Sequence, residues 1–254
     1  MKTMVNIIAD SISPTGHRLT TMECTFHRFI LPEVNTYRMW SRNAASSRAI
    51  PLKRRIQEVR ENPAIPSFWG KNQKGMVAEN ELSTELSTDA LATWLEAAMA
   101  AADYAEIFSQ LDLHKQTASR ILEPFLWHTS VISSTEWDNC FSQRIHPDAQ
   151  PEFKILAELM KTSIDKSEPQ LIEVGEWHLP YLSEEDRNLS IESQKKVCVS
   201  RVARSSYLNQ NKIDVSADLD LYERLISANP PHLSPFEMIA TPAIDGEKIY
   251  GNYS

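Results

Sequence analysis

The sequence is poor in glycine, with six in 254 residues, and no stretch is low in complexity, so a long flexible linker is excluded. The glycine-dependent signatures are missing as well. There is no Gly-x-Gly-x-x-Gly turn for a dinucleotide, no Gly-Lys-Ser/Thr phosphate loop and no Gly-x-Ser-x-Gly nucleophile elbow. Cysteine is scarce. Cys24, Cys140 and Cys198 are odd in number and far apart, which argues against a disulfide framework and for a reducing, cytoplasmic setting. Neither cysteines nor the scattered histidines have zinc-site spacing, so no metal is expected. A basic excess is missing too: the net charge is −8, which disfavours direct binding to nucleic acid. The local run Lys53-Arg54-Arg55 shares its helix with Glu58 and Glu61 and reads as a solvated face. No apolar run reaches membrane-spanning length, so no membrane partner is expected.

What is present is ordinary for a soluble globular protein, 42% hydrophobic and 24% charged, and residues 1–254 read as one domain. Val5 to Ala9 and Thr25 to Val34 read as strands, from their apolar, aromatic and β-branched residues. Pro51 opens a short helix that Pro63 closes, and residues 63–83 read as an irregular loop. A long helix is expected from about Thr88-Asp89, with Leu91, Trp94, Leu95, Ala98, Ala102, Ala105 and Phe108 on its buried side. A helix over His114 to Leu122 stops at Pro124, and Phe125 to Ile132 reads as a strand. Ser134 caps a helix through Trp137 and Phe141 to Arg144, and the next covers Ala149 to Met160. Ser190 to Tyr207 and Leu219 to Ile226 are helical, and the tail from Phe236 to Ile249 is strand-like. Helices outnumber strands, so the class is α+β.

The stretch Thr36-Tyr37-Arg38-Met39-Trp40-Ser41-Arg42-Asn43-Ala44-Ala45-Ser46-Ser47-Arg48 carries the most chemistry. Arginines flank a segment dense in hydroxyls. Guanidinium forks suit phosphate, and serine hydroxyls with turn amides complete such a cradle. A polar, solvated turn beside a strand is the other reading of the same residues. Two further stretches stand out: Arg120-Ile121-Leu122-Glu123-Pro124 with Asn139-Cys140-Phe141-Ser142-Gln143-Arg144 and Ala149-Gln150-Pro151-Glu152, and then Ala203-Arg204-Ser205-Ser206-Tyr207 with His232-Leu233-Ser234-Pro235-Phe236-Glu237.

Together these stretches resemble the flavin-dependent thymidylate synthases. Arg38, Ser41, Asn43, Ser46 and Arg48 fall on that family's Arg-His-Arg-x7-Ser signature, and Arg120, Arg144, Ser206, His232, Ser234 and Glu237 on its other elements. Thr36, Tyr37, Ala44 and Met238 replace an Arg, a His, a Glu and a His. The two elements that usually come first stand last here, which reads as a circular permutation with helices packed on a small, mainly antiparallel sheet. The resemblance implies transfer of a one-carbon unit from methylenetetrahydrofolate to C5 of a pyrimidine deoxynucleotide monophosphate, dUMP to dTMP, with FAD as cofactor and NADPH as reductant. It implies catalytic roles for Arg144 and Arg48, and substrate contacts from Arg48, Ser46, Ser47, Arg120, Arg144 and Glu33. It assigns Arg38, Ser41, Asn43, Asn139, Ser206, His232, Ser234 and Gln150 to the flavin. It also implies a homotetramer, cytoplasmic, or in the host cytoplasm if the chain is virus-encoded. The four replacements keep other outcomes open: hydroxymethylation of dUMP or dCMP, methylation of dCMP for modified DNA, or a non-catalytic relative that binds nucleotide or flavin. No activated thiolate is expected, because Cys140 sits among aromatics in a helix pattern.

Overall fold

The computed structural model describes residues 2–208 and 214–243. β1 (Met4–Ile12) and β2 (Arg18–His27) form an antiparallel hairpin. Its turn closes through Ser13 and His17, and Gly16 takes φ +87°, a left-handed conformation that suits glycine. β2 pairs along its length with β4 (Trp127–Ser134), from Thr20 opposite Ser134 to His27 opposite Trp127. β3 (Ser41–Ala44) forms one edge beside β4, and the two-residue β5 (Gln170–Leu171) runs parallel to β1 at the other. The order is β3-β4-β2-β1-β5, and all pairings but the last are antiparallel.

Strand alternation sorts side chains to two faces. Met22, Cys24 and Phe26 of β2 and Ile132 of β4 meet Phe153, Leu156 and Met160 of α6 (Pro151–Lys166). Trp137 and Cys140, at the start of α5 (Asp138–Arg144), join the same core. On the opposite face Val131 packs against Val202 of α7 (Ile191–Arg204) and Met238. α8 (Val215–Ser227) lies against α7. A second core joins α2 (Leu52–Glu61), α3 (Thr84–Gln110) and α4 (Lys115–Ala118), where Ala98, Ala101, Ala102 and Ala105 let the helices approach closely. The short α1 (Leu31–Val34) follows β2.

The α+β class and the helices-on-sheet arrangement are as the sequence predicts. Several boundaries differ. The strand expected over Thr25 to Val34 ends at His27; Arg28–Ile30 is a 3-10 turn and α1 follows, with Pro32 in its first turn, where proline is preorganised. α3 begins at Thr84, capped by the Ser83 side chain. Pro124 does not stop a helix: it lies inside a 3-10 segment, Ser119–Phe125. Ser134 ends β4 rather than capping a helix, and its hydroxyl bonds the Met39 carbonyl and the Glu136 amide. Ser205–Tyr207, expected as the last turn of an α-helix, is a 3-10 turn. Ser234–Met238 is also a 3-10 turn rather than a strand; residues 244–249 of that expected strand lie outside the described residues. Among the described residues no helix is long and apolar enough to cross a membrane.

Candidate functional site

β3 is short, but both of its ends lead to chemistry. At its centre Asn43 is buried, and its amide joins three distant segments. Its Nδ2 donates to the Val202 carbonyl at 2.8 Å and the Ser205 hydroxyl at 2.7 Å, with Ser206 Oγ at 3.3 Å. Its Oδ1 accepts from Ser234 Oγ at 3.2 Å. The Ser46 amide donates to the Ser206 carbonyl at 3.1 Å. The end of α7 and the 234–238 turn are thus fastened to β3 by one side chain.

Beyond Ala44 the chain enters an arginine cluster. Glu123 Oε1 accepts from Arg28 Nη2 at 2.9 Å, Ser47 Oγ at 3.0 Å and Arg120 Nη1 at 2.8 Å. Burial alone would raise the Glu123 pKa; the Arg28 charge, the Ser47 bond and Arg120 outweigh it and hold the carboxyl below its ordinary value. Arg28 Nη1 also donates to Nδ1 of buried His128 at 2.9 Å. Burial, with the charges of Arg28 and Arg55, pushes His128 down to about 3, so this imidazole is neutral. Arg55, 1% exposed, pairs with Glu58. Four guanidinium groups, of Arg28, Arg54, Arg55 and Arg120, therefore pair with two carboxylates, Glu123 and Glu58, which leaves a positive surplus. The Nε atoms of Arg28 and Arg55 and Nε2 of His128 are buried without a partner among the described residues. Buried unpaired donors are costly, and together with the charge surplus they suit an anion.

The other end of β3 leads back to an aromatic corner. Tyr37 stacks on Trp40 with centroids 4.6 Å apart, and Trp40 contacts Trp137. Arg144 Nε donates to the Tyr37 hydroxyl at 2.8 Å, and its guanidinium lies over the Phe153 ring at 4.7 Å. A hollow of about 290 Å³ opens here, lined by Tyr37, Arg38, Trp40, Asn139, Cys140 and Gln143 among others. Arg42 Nη1 donates to the Tyr37 carbonyl at 2.6 Å and the Val34 carbonyl at 3.3 Å, bracing the turn into β3.

Nine of the fourteen sequence-predicted residues fall into three groups. Asn43, Ser46, Ser206 and Ser234 meet at β3. Ser47 and Arg120 share Glu123. Arg38 and Asn139 share the hollow, and Arg144 reaches it through Tyr37. Ser41 is buried in β3 opposite Ser133. Gln150 bonds Glu152, a buried acid that also receives Ser67. Glu33 has one carboxylate oxygen buried without a partner among the described residues. Arg48 and His232 are exposed and join none of these groups among the described contacts. Arg28, Arg55, His128 and the role of Glu123 were not foreseen. The Arg120–Glu123 spacing of three, with both residues on one helical face, was the available signal.

The sequence matches no family model and no curated protein. Solved structures do match. The UMP/dUMP methylase PolB from Streptomyces cacaoi bound with 5-Br UMP superposes with a TM-score of 0.52 at 15% identity, covering 65% of this chain and 89% of that one. The same protein bound with 5-Br dUMP gives 0.49 at 13% identity, over 65% and 90%. Thymidylate Synthase X from Helicobacter pylori with FAD and dUMP gives 0.40 at 18% identity, over 58% and 67%. The first of these likenesses establishes a shared fold.

Proposed function

We propose that the protein transfers a one-carbon unit from methylenetetrahydrofolate to C5 of a pyrimidine deoxynucleotide monophosphate, using bound FAD with NADPH as its reductant. The observation that carries this reading is the meeting of Ser47 and Arg120, 73 residues apart in sequence, in a cluster with surplus positive charge. A phosphate dianion suits such a site, because guanidinium donors and a hydroxyl can address its oxygens together. The shared fold with a UMP/dUMP methylase supports a pyrimidine nucleotide as the ligand class. The tie of Asn43 to Ser205, Ser206 and Ser234 supports the permuted reading, since it joins the late segments to the early arginine stretch.

In this reading Ser46, Ser47, Arg48 and Arg120 hold the phosphate, with Glu33 at the nucleotide. Arg144 stabilises charge that builds on the pyrimidine when C5 becomes nucleophilic. The flavin set is Arg38, Ser41, Asn43, Asn139, Gln150, Ser206, His232 and Ser234. FAD, when bound, supplies the hydride that reduces the transferred carbon to a methyl group. The stacked Tyr37–Trp40 pair and the neighbouring Arg38 fit one edge of a flat, electron-poor ring. At about 290 Å³ the hollow is small beside sites that enclose a whole ligand, about 300–1,000 Å³, so other subunits of a homotetramer complete it.

The test is direct. Purified protein is incubated with methylenetetrahydrofolate, FAD, NADPH and either dUMP or dCMP, and the nucleotide is weighed by mass spectrometry. A methyl gain on dUMP is expected. A hydroxymethyl gain, or product from dCMP alone, would shift the reading to those reactions. Protein that stays colourless with FAD and returns both nucleotides unchanged would end it in favour of a non-catalytic relative.

A further inference from the structure

We propose, building on the reading of the arginine cluster as the phosphate site, that Glu123 is an autoinhibitory carboxylate: it fills the cradle in the free protein, and the nucleotide's phosphate takes its place. Three segments meet at one of its oxygens. Arg28 directly follows β2, Ser47 lies three residues beyond β3, and Arg120 shares the 3-10 segment with Glu123 itself. Oε1 accepts from Arg28 Nη2 at 2.9 Å, from Ser47 Oγ at 3.0 Å and from Arg120 Nη1 at 2.8 Å. Two charged donors and a hydroxyl aimed at a single anionic oxygen are what a phosphate oxygen would receive from the same groups. The Glu123 side chain is 26% exposed, so it stands at the edge of the fold and can swing outward without opening a core.

The cradle cannot serve both anions at once. A serine hydroxyl carries one hydrogen, and that of Ser47 is already given to Glu123. Arg28 Nη2 is committed as well, to Glu123 and, at 3.5 Å, to Ser47 Oγ, while Nη1 serves His128. A phosphate brought to these donors would also lie beside an ionised carboxylate, and like charges a few ångströms apart repel. Exchange removes both conflicts. The carboxylate leaves, the Ser47 hydroxyl turns to the phosphate, and the guanidinium groups keep a negative partner.

Glu123 is the one carboxylate that Arg28 and Arg120 share among the described residues, so without it the free protein would hold both charges unneutralised. Because it is tethered, it competes at a high effective concentration. A free inorganic anion therefore displaces it poorly, whereas a nucleotide brings sugar and base contacts to the exchange. A carboxylate that only held the donors in place would predict the opposite sign on mutation: removing its charge would loosen the cradle and weaken binding.

The experiment uses the full chain and titrates it by calorimetry with dUMP and with inorganic sulfate, a dianion that needs neither flavin, folate nor turnover. Glu123→Gln is expected to bind both about tenfold more tightly than wild type, because a neutral amide holds the donors less strongly than a carboxylate. Glu123→Asp keeps the charge but falls one methylene short of the three donors; a smaller gain of the same sign is expected, and this variant carries the test if Glu123→Gln does not fold. Circular dichroism checks the fold of each. Unchanged or weaker dUMP binding in the folded variant would overturn the proposal. So would a gain for sulfate alone, which would separate this cradle from the nucleotide's phosphate. Gains for both ligands, with a wild type that leaves dUMP unchanged in the mass-spectrometric assay, would end the one-carbon reading and keep the displaced carboxylate. Turnover by wild type without a gain in either variant would do the reverse.

Discussion

Glu123 and Arg28 stand 95 residues apart in sequence and 2.9 Å apart in the fold. The contact exists because β2 pairs with β4: His27 lies opposite Trp127, and the Arg28 amide donates to the Leu126 carbonyl at 2.9 Å. With its pKa held low by Arg28, Ser47 and Arg120 against the opposing effect of burial, Glu123 adds stability while it is charged. That contribution is complete above its unfolded value, about 4.3, and is lost as pH falls through the lower folded value. Glu123→Gln is expected to cost about 1–3 kcal/mol at pH 7, because three donors lose a charged acceptor. Urea unfolding at several pH values checks the sign: below about pH 4 the gap between wild type and variant should narrow.

Arg120 differs from Arg28 in exposure, with a side chain 53% open to solvent. Its removal should barely touch stability, since exposed ion pairs contribute only about 0–1 kcal/mol. If it grips the nucleotide phosphate, Arg120→Ala should weaken dUMP binding by about 10- to 100-fold, the usual range for a hydrogen bond to a charged group. Arg120→Lys should recover part of that loss, because the charge returns without the fork. Titration calorimetry reads both variants. Equal affinity in wild type and Arg120→Ala would remove Arg120 from the site while leaving its pairing with Glu123 intact.

The sequence carried local order well and distant contacts poorly. The helix behind Pro51 and the start of the helix near Ser190 are written in a few adjacent residues, and both stand where expected. α3 was expected to begin four residues late because Thr84 to Ser87 add little apolar periodicity to its cap. β2 was displaced because polar Thr20 and Thr21 stand among its buried residues, on opposite faces, while aromatic and branched residues continue past its true end. In the site, Asn43, Ser206 and Ser234 stand out by their resemblance to a family's motif spacing, which survives a change of segment order. His128 and Arg28 could not be found that way, since only strand pairing brings them together.

Arg201 is the anchor of the helix that carries Ser205 and Ser206. It is buried between two acids, donating to Asp218 at 3.0 Å through Nε and to Asp186 at 3.0 Å through Nη2. Burial would raise the Asp186 pKa, but the bonds from Arg201 and Ser183 bring it down to about 2. Arg201→Ala leaves buried Asp186 without its cation and Asp218 with Arg204 alone, and should cost about 3–5 kcal/mol. Arg204→Ala is a milder control, because Arg204 shares Asp218 with Arg201 and is less buried. Chemical denaturation at neutral pH should rank the two in that order. The Asp186 share of stability is present above its unfolded value near 3.9 and lost only as pH falls toward about 2. The Arg201→Ala penalty should therefore persist at about pH 4.5, well above that range.

The last prediction concerns the cysteines, because a thiolate nucleophile is the obvious rival route to C5 chemistry. Cys140 lies nearest the candidate site, lining the hollow with Tyr37 and Asn139. Burial pushes it up to about 12, against smaller downward effects of Tyr37 and Arg144; burial pushes Cys198 to about 12 and Cys24 higher still. At pH 8 a thiol with such a pKa is ionised in roughly one molecule in ten thousand, too few for an efficient nucleophile. Native protein should react slowly with a disulfide reagent such as dithionitrobenzoate, and all three thiols should react at once in denaturant. Cys140→Ala should retain product formation within about threefold, with a stability cost of about 1–2 kcal/mol from the small cavity it leaves. Loss of turnover in a folded Cys140→Ala protein that still binds dUMP would show that the thiol takes part in the chemistry, and would leave Arg144 a positioning residue beside it.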